Sequence, residues 1–438
     1  MQVLFAELLG LSQNPGRQTR LMDAGVQCAA FLGWDNVIAS LRRRPGTVLP
    51  ARPARAMALA GLGLLLLVLG VPDAAAGARD QARRIHDRLA GVPPTQQVLD
   101  SMEQDILDGN PVAAAYRAMD NRAFYDVTLK NFAAPWTNRD QSVFVPLNDY
   151  IATVIGMVRD DVPFNTLLSA DILYVGAPGL PGVPAYSMTS NAHYAALESQ
   201  GVNLKDNLVP TTQTAVTDLP PGGVAGVVTT RAAAEAFFIA GTNRAMLRFT
   251  LMNHMCRDLE QVADVTGVPD RVRQDVSRSP GGDSRVFLNN CAGCHAGMDP
   301  LAQAYAFHDW DEAAGRIVYT AGNVRPKYFN NADTFPYGYV TPDDRWDNYW
   351  REGQNSLLGW DGGLSSGGNG AASMGTELGN SQAFAQCQVE KVFRAVCLRP
   401  PVDGSDRGQV ASMTTSFRAG GYRLKQVFAE SATYCMGE

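Results

Sequence analysis

The chain is predicted to be mainly α-helical, and three features carry that reading. Apolar residues recur at three- and four-residue spacing over 79–132, 147–159, 230–262 and 380–435. The stretches between them, above all 174–221 and 320–363, are rich in Gly, Pro, Asn and Thr or in aromatics and keep little periodicity, so they read as long irregular loops. No internal repeat, heptad or long low-complexity tract interrupts this pattern. The roughly 360 residues from about residue 79 onwards are enough for two or three domains around a real core.

The first apolar run differs from the others. Residues 57–71 are almost wholly Ala, Leu, Gly and Val; Pro-Asp-Ala-Ala-Ala-Gly-Ala follows, and Arg42, Arg43, Arg44, Arg52 and Arg55 lie upstream. A basic region, a short apolar core and small residues at a cleavage site make a secretory signal, with cleavage after Ala76 or Ala78. About fourteen apolar residues fall short of the roughly twenty that a membrane span needs. Residues 1–56 read as an upstream extension or a mis-called start, with translation beginning nearer Met22 or Met57. The expected compartment is periplasmic or extracellular, with no membrane span after cleavage.

Beyond that point the elements follow from local signals. Arg84, Ile85 and Leu89 belong to a helix that ends at Val92-Pro93-Pro94, and Thr95 caps the next, which carries Val98, Leu99, Met102, Ile106 and Leu107. Asp108-Gly109-Asn110-Pro111 breaks it, and Val112–Asn131 is predicted as one further helix. Leu147–Arg159 is helical, and within 174–221 only Ala192–Ser199 keeps helical spacing. Thr230–Val262 returns to strong helix, and a polar loop then leads to Arg285–Asn290. Two helices, 380–397 and 408–435, close the chain, with Pro400-Pro401 between them.

Cys291-Ala292-Gly293-Cys294-His295 is the motif that carries chemistry. C-x-x-C-H is the covalent attachment site of a c-type haem: each thiol adds across a vinyl group, and the adjacent histidine binds the iron from the proximal side. Zinc would need a second close ligand pair, and no other C-x-x-C exists in the chain. A thioredoxin-like pair would need a βαβ setting. The expected cofactor is therefore one covalently attached haem c, held by Cys291, Cys294 and His295.

The distal ligand decides between electron transfer and catalysis. Met374 is the leading candidate metal ligand beside His295, because it follows the glycine-rich run Gly362–Gly370 and precedes the closing helices. Small c-type cytochromes carry their methionine on a loop in a similar place. His308, placed at a helix end, His254 and an open position are the alternatives; Met298, three residues after His295, stays on the proximal face. Arg316 and Arg325 are candidate partners for the haem propionates. The aromatic run from Tyr328 to Trp360 reads either as cover for the macrocycle or as the core of an irregular region. His86 and His193 read as structural.

Four further cysteines, Cys256, Cys387, Cys397 and Cys435, suit two disulfides in an oxidising compartment. Cys387 and Cys397 sit ten residues apart on one helix, about 15 Å, too far to bridge. Each is therefore expected to pair with Cys256 or Cys435, the alternative being buried thiols.

The residues also resemble a family. Cys-Ala-Gly-Cys-His followed by Met298-Asp299-Pro300-Leu301 resembles the haem-c domain of a large class of exported cytochrome-like proteins, in which the haem motif runs into hydrophobe-Asp-Pro-Leu. Gly241-Thr242-Asn243-Arg244-Ala245 with Cys256 is similar to that class's upstream helix. Ser381–Cys387 is similar to its C-terminal helix, and Arg83–Pro94 to an N-terminal helix of related chains. The resemblance implies an exported haem protein and supplies no reaction. Motif and resemblance together give a helical N-terminal domain at 79–240 and a cytochrome c-like helical haem c domain with C-terminal helices at 241–438.

The net charge is −6, and residues 1–78 hold seven arginines against four acidic residues, so the remainder is more acidic still. That argues against nucleic acid and suits a basic redox partner protein. The expected function is electron transfer. The alternatives are a peroxidase- or oxygenase-like haem enzyme and a structural or assembly subunit, in a homo-oligomer, filament or larger redox complex.

Overall fold

The computed structural model describes residues 76–238, 243–272, 284–329 and 338–437. The expectations for 1–56 and the signal core, for Gly241-Thr242, and for Phe335 and Tyr337 lie outside these residues. The described chain is mainly helical, with three small two-stranded antiparallel sheets. No helix among the described residues is long and apolar enough to cross a membrane.

The N-terminal helices form as their punctuation dictates. Helix α1 (Ala78–Ala90) buries Ile85 and Leu89 and ends at Gly91, whose φ of 69° suits glycine. Helix α2 (Gln96–Leu107) starts where the Thr95 side chain accepts the Val98 N–H. Helix α3 (Pro111–Met119) has Pro at its first position and the Asn110 side chain as cap. It stops earlier than predicted: Asp120 and Asn121 break the helix, and Phe124–Leu129 form a π-helical turn. That turn buries Phe124, whose ring packs edge-on against Phe428 near the C-terminus, so tertiary packing overrides the continuous periodicity.

Helix α4 (Asp149–Arg159) is the centre of the core, with every residue from Asp149 to Val158 buried. Gly156 is required there, because a Cβ would lie 2.1 Å from the Tyr174 ring. The segment that follows is more ordered than its composition suggests. Strand β1 (Leu173–Gly176) pairs with β2 (Leu208–Thr211), and α5 (Ala192–Ser199) packs between them in sequence. Buried Asp149 accepts hydrogen bonds from the Arg231 and Ala232 N–H groups and so caps α6 (Arg231–Phe237). Helix α7 (Arg244–Met255) follows, ending in left-handed Cys256.

After the stretch predicted as polar loop, α8 (Ser284–Asn290) leads through Cys291 into α9 (Ala292–Ala302). His308 was expected at a helix end; it instead opens β3 (His308–Asp311), paired with β4 (Arg316–Tyr319). Strands β5 (Arg345–Asp347) and β6 (Gly367–Asn369) bracket a second irregular stretch. Helix α10 (Gly370–Gly379) lies against Phe164–Thr166 and the residues after it at backbone distance. A Cβ at Gly375 would meet the Leu168 carbonyl oxygen at 1.9 Å, and one at Gly379 the Asn165 oxygen at 2.2 Å. The last predicted helix is two, α12 (Gly404–Ala419) and α13 (Leu424–Tyr434), after α11 (Gln382–Cys397). Gly421 and Tyr422, both at positive φ, separate them. One hydrophobic cluster runs from Ala82 to Ala432, so the 79–240 and 241–438 stretches share a core.

Both disulfides form in the expected pattern. Cys256 joins Cys387 and Cys397 joins Cys435, with Cα–Cα distances of 5.3 and 5.5 Å. The second closes a loop of 38 residues, which chain entropy values at about 4 kcal/mol. The Cys397→Ser/Cys435→Ser variant is expected to lose stability of that order in urea titration, without loss of helix content at low denaturant.

Candidate haem-attachment site

The site is built on the junction of α8 and α9. The Cys291 carbonyl accepts the N–H groups of Cys294 and His295, so the motif forms the first turn of α9. Cys291 and Cys294 are half-buried and take part in neither disulfide; the Cys294 thiol lies 3.6 Å from the Leu259 carbonyl. The loop after Leu259 runs alongside: the Asp264 N–H donates to the Gly293 carbonyl at 2.9 Å, and Val265 packs over Gly293.

The orientation of His295 comes from a residue one helical turn later. Its Nδ1 lies 3.2 and 3.3 Å from the two carboxylate oxygens of Asp299. The Asp299 side chain is completely buried. It is held in turn by Arg244 at the start of α7, through Nε at 2.7 Å and Nη2 at 2.8 Å, a bidentate pair. With Nδ1 turned to a carboxylate, the neutral ring carries its proton there and Nε2 is the lone-pair nitrogen. Nε2 makes no hydrogen bond among the described residues. A histidine with one ring nitrogen unengaged among the described residues and the other donating to a carboxylate has the arrangement of a metal ligand. Pro300, inside α9, adds no N–H of its own, so the turn bearing Asp299 is not closed onto the Ala296 carbonyl.

Neighbouring residues make the Arg244–Asp299 pair rigid. Asn243, buried and left-handed, donates from its amide to the carbonyls of Tyr305 and His308 at 2.8 and 3.0 Å. Lys327 bridges the Asn243 side chain and Asp309. On another side of α9, Gly297 lets the Trp350 indole approach so closely that a Cβ would lie 1.9 Å from its Nε1. The aromatic run is thus partly core: Tyr328, Trp346 and Trp350 are buried, and Trp350 lies on the motif helix.

These residues fit a covalent haem. Two thiols and a ligand-ready histidine share one helical turn. Val265, Val268, Val286 and Leu288, large aliphatic side chains next to that turn, stand exposed to solvent, the kind of apolar surface a macrocycle covers. The Phe287 ring lies 5.9 Å from that of His295.

The other predicted site residues are not gathered at the motif by any hydrogen bond or ion pair among the described residues. Met374 is fully buried within α10, in the main hydrophobic cluster. Met298 is buried in α9. Arg316 pairs with Asp218, and Arg325 with Asp309 at 3.2 Å, so each guanidinium already has an acidic partner. His254 is buried with Nε2 2.6 Å from the Tyr150 hydroxyl, and burial holds its pKa well below the ordinary value, with the Lys391 cation adding to the effect. His308 donates from Nε2 to the Gly223 carbonyl at 3.0 Å. His86 and His193 are structural, the first against the Val92 carbonyl, the second bridging the Pro184 carbonyl and the Gly176 N–H. The sequence reading missed Arg244 and Asp299 as functional partners. The signal was present: an acid four residues after a motif histidine on one helix faces the same side.

Comparison with protein-family models, curated proteins and solved structures finds no match.

Burial pushes the His308 pKa down to about 4 from an ordinary 6.5; the Gly223 carbonyl opposes the shift and the Lys327 cation adds to it. The fold therefore favours the neutral ring. That contribution is complete above pH 6.5 and is lost as pH falls towards 4, because the unfolded chain binds the proton first. Its size is on the order of 3 kcal/mol. His308→Gln, which keeps an amide donor for Gly223, is expected to flatten the pH dependence of unfolding free energy between pH 6.5 and 4.

Proposed function

We propose that the chain is an exported monohaem c-type cytochrome that transfers electrons, with haem attached through Cys291 and Cys294 and His295 as proximal ligand. The observation that carries this reading is the C-x-x-C-H turn, with His295 anchored through Nδ1 by buried Asp299 and with Nε2 making no hydrogen bond among the described residues. A haem held there supplies one reversible electron. The protein's own contribution is to fix the ring plane through the Asp299 contact at Nδ1, to leave Nε2 as the donor atom and to surround the group with apolar side chains. The two disulfides belong to an oxidising compartment, which supports a periplasmic or extracellular location. The resemblance to exported cytochrome-like proteins with a hydrophobe-Asp-Pro-Leu run after the motif supports the same reading. The net negative charge suits a basic redox partner.

Met374 is the proposed distal ligand on its place in the chain, after the glycine-rich run and before the closing helices; its side chain lies in the main hydrophobic cluster. One observation favours a second reading, a haem enzyme with an open iron position: a carboxylate on the proximal histidine strengthens that ligand and so suits oxygen or peroxide chemistry.

Electron paramagnetic resonance and optical spectra of the purified ferric protein separate the two. A carrier is expected to be low-spin and unmoved by peroxide, and Met374→Ala to convert it to a different axial signature. The same variant is expected to lose roughly 2–5 kcal/mol of stability, as for a buried methionine cut to alanine. A high-spin ferric signal in the parent chain that shifts with cyanide counts against the carrier, and an unchanged axial signature in Met374→Ala counts against that ligand.

A further inference from the structure

We propose that Asp299 sets the reduction potential of the site through His295, and that Arg244 limits how far it does so. This rests on the haem reading above and assigns roles to two residues that the attachment motif does not contain. The geometry is specific. Asp299 is completely buried, both its oxygens lie within 3.3 Å of His295 Nδ1, and its remaining contacts include a bidentate guanidinium from a different helix.

A carboxylate hydrogen-bonded to Nδ1–H draws that proton towards itself and makes Nε2 a stronger donor to a metal. A stronger, more anionic donor stabilises ferric over ferrous iron, so Asp299 lowers the potential. Burial keeps water from screening the interaction. Arg244 shares the same two oxygens and takes up part of their charge, so the lowering is partial. The guanidinium also fixes the carboxylate plane, because its Nε and Nη2 engage the two oxygens as a bidentate pair. Asp299 is a positioning residue, acting through His295 rather than on the iron itself.

Asp299→Asn keeps the size of the side chain and an oxygen acceptor for Nδ1 while removing the charge. In the full-length, haem-loaded protein it is expected to favour reduction roughly tenfold, about 59 mV for a one-electron couple, in a spectroelectrochemical titration. The hyperfine-shifted ring-proton resonances of His295 are expected to move in the proton spectrum of the ferric state. Because Asp299→Asn also leaves Arg244 without its acid, the double variant Arg244→Gln/Asp299→Asn is measured beside it. It is expected to regain thermal stability while keeping the raised potential of the single variant.

A potential and histidine resonances unchanged in Asp299→Asn, with only the melting temperature lowered, would overturn the proposal and leave Asp299 a structural ion-pair partner. A double variant whose potential returned to the parent value would overturn it as well. A parent chain that acquires no haem in a maturation-competent host fails one step earlier and overturns the haem reading itself.

Discussion

The buried carboxylate of Asp299 ties three things together: the helix that carries the C-x-x-C-H turn, the helix that precedes it in the core, and the nitrogen of His295 that faces away from any metal. A carboxylate with no solvent access is costly unless it is paired and hydrogen-bonded. Here the bidentate Arg244 and the His295 ring meet that requirement from two sides. Removing Arg244 leaves a charge in the interior, so α7 and α9 are held in register by an electrostatic need rather than by apolar contact alone.

The rest of the architecture supports that register. Asn243 adopts a left-handed backbone at the start of α7 and spends its amide on the carbonyls of Tyr305 and His308, just past the motif helix. At its other end, α7 is fastened to α11 by the Cys256–Cys387 disulfide. Gly297 admits the Trp350 indole against α9. The motif turn is therefore held by an ion pair, a side-chain amide, a disulfide and an aromatic wedge, each from a different part of the chain. The five-residue motif thus has a scaffold that spans the C-terminal helices as well as the residues beside it.

Much of the helical framework was legible in the sequence because its signals are local: Thr95 and Asn110 as caps, Pro111 at a first position, apolar spacing through Ile151, Val154, Ile155 and Val158. Helix geometry excluded only a Cys387–Cys397 bridge and left two pairings open; which partner each takes is decided by tertiary packing. Misread segments were those where distant contacts decide. Phe124 belongs to a π-helical turn because of Phe428, and His308 opens a strand because β4 is there to pair with it. The Gly420-Gly421 break divides the last helix although the apolar pattern on either side is continuous. At the site, the five motif residues were legible, and so was the Asp-Pro-Leu run as a resemblance. The roles of Arg244 and Asp299 were not, because fifty-five residues separate them and no local pattern says that they meet. Arg316 and Arg325 show the converse: arginines near the motif in sequence, each already paired with an acid.

The central claim is that Cys291 and Cys294 carry haem by covalent bonds, and the most direct test is the mass and absorption spectrum of the chain after export from a host with cytochrome c maturation and denaturation in acid. One haem per chain, retained through denaturation and absent from the Cys291→Ala/Cys294→Ala variant, is the expected result. A denatured chain at the mass of the polypeptide alone, with no haem absorption, would contradict it.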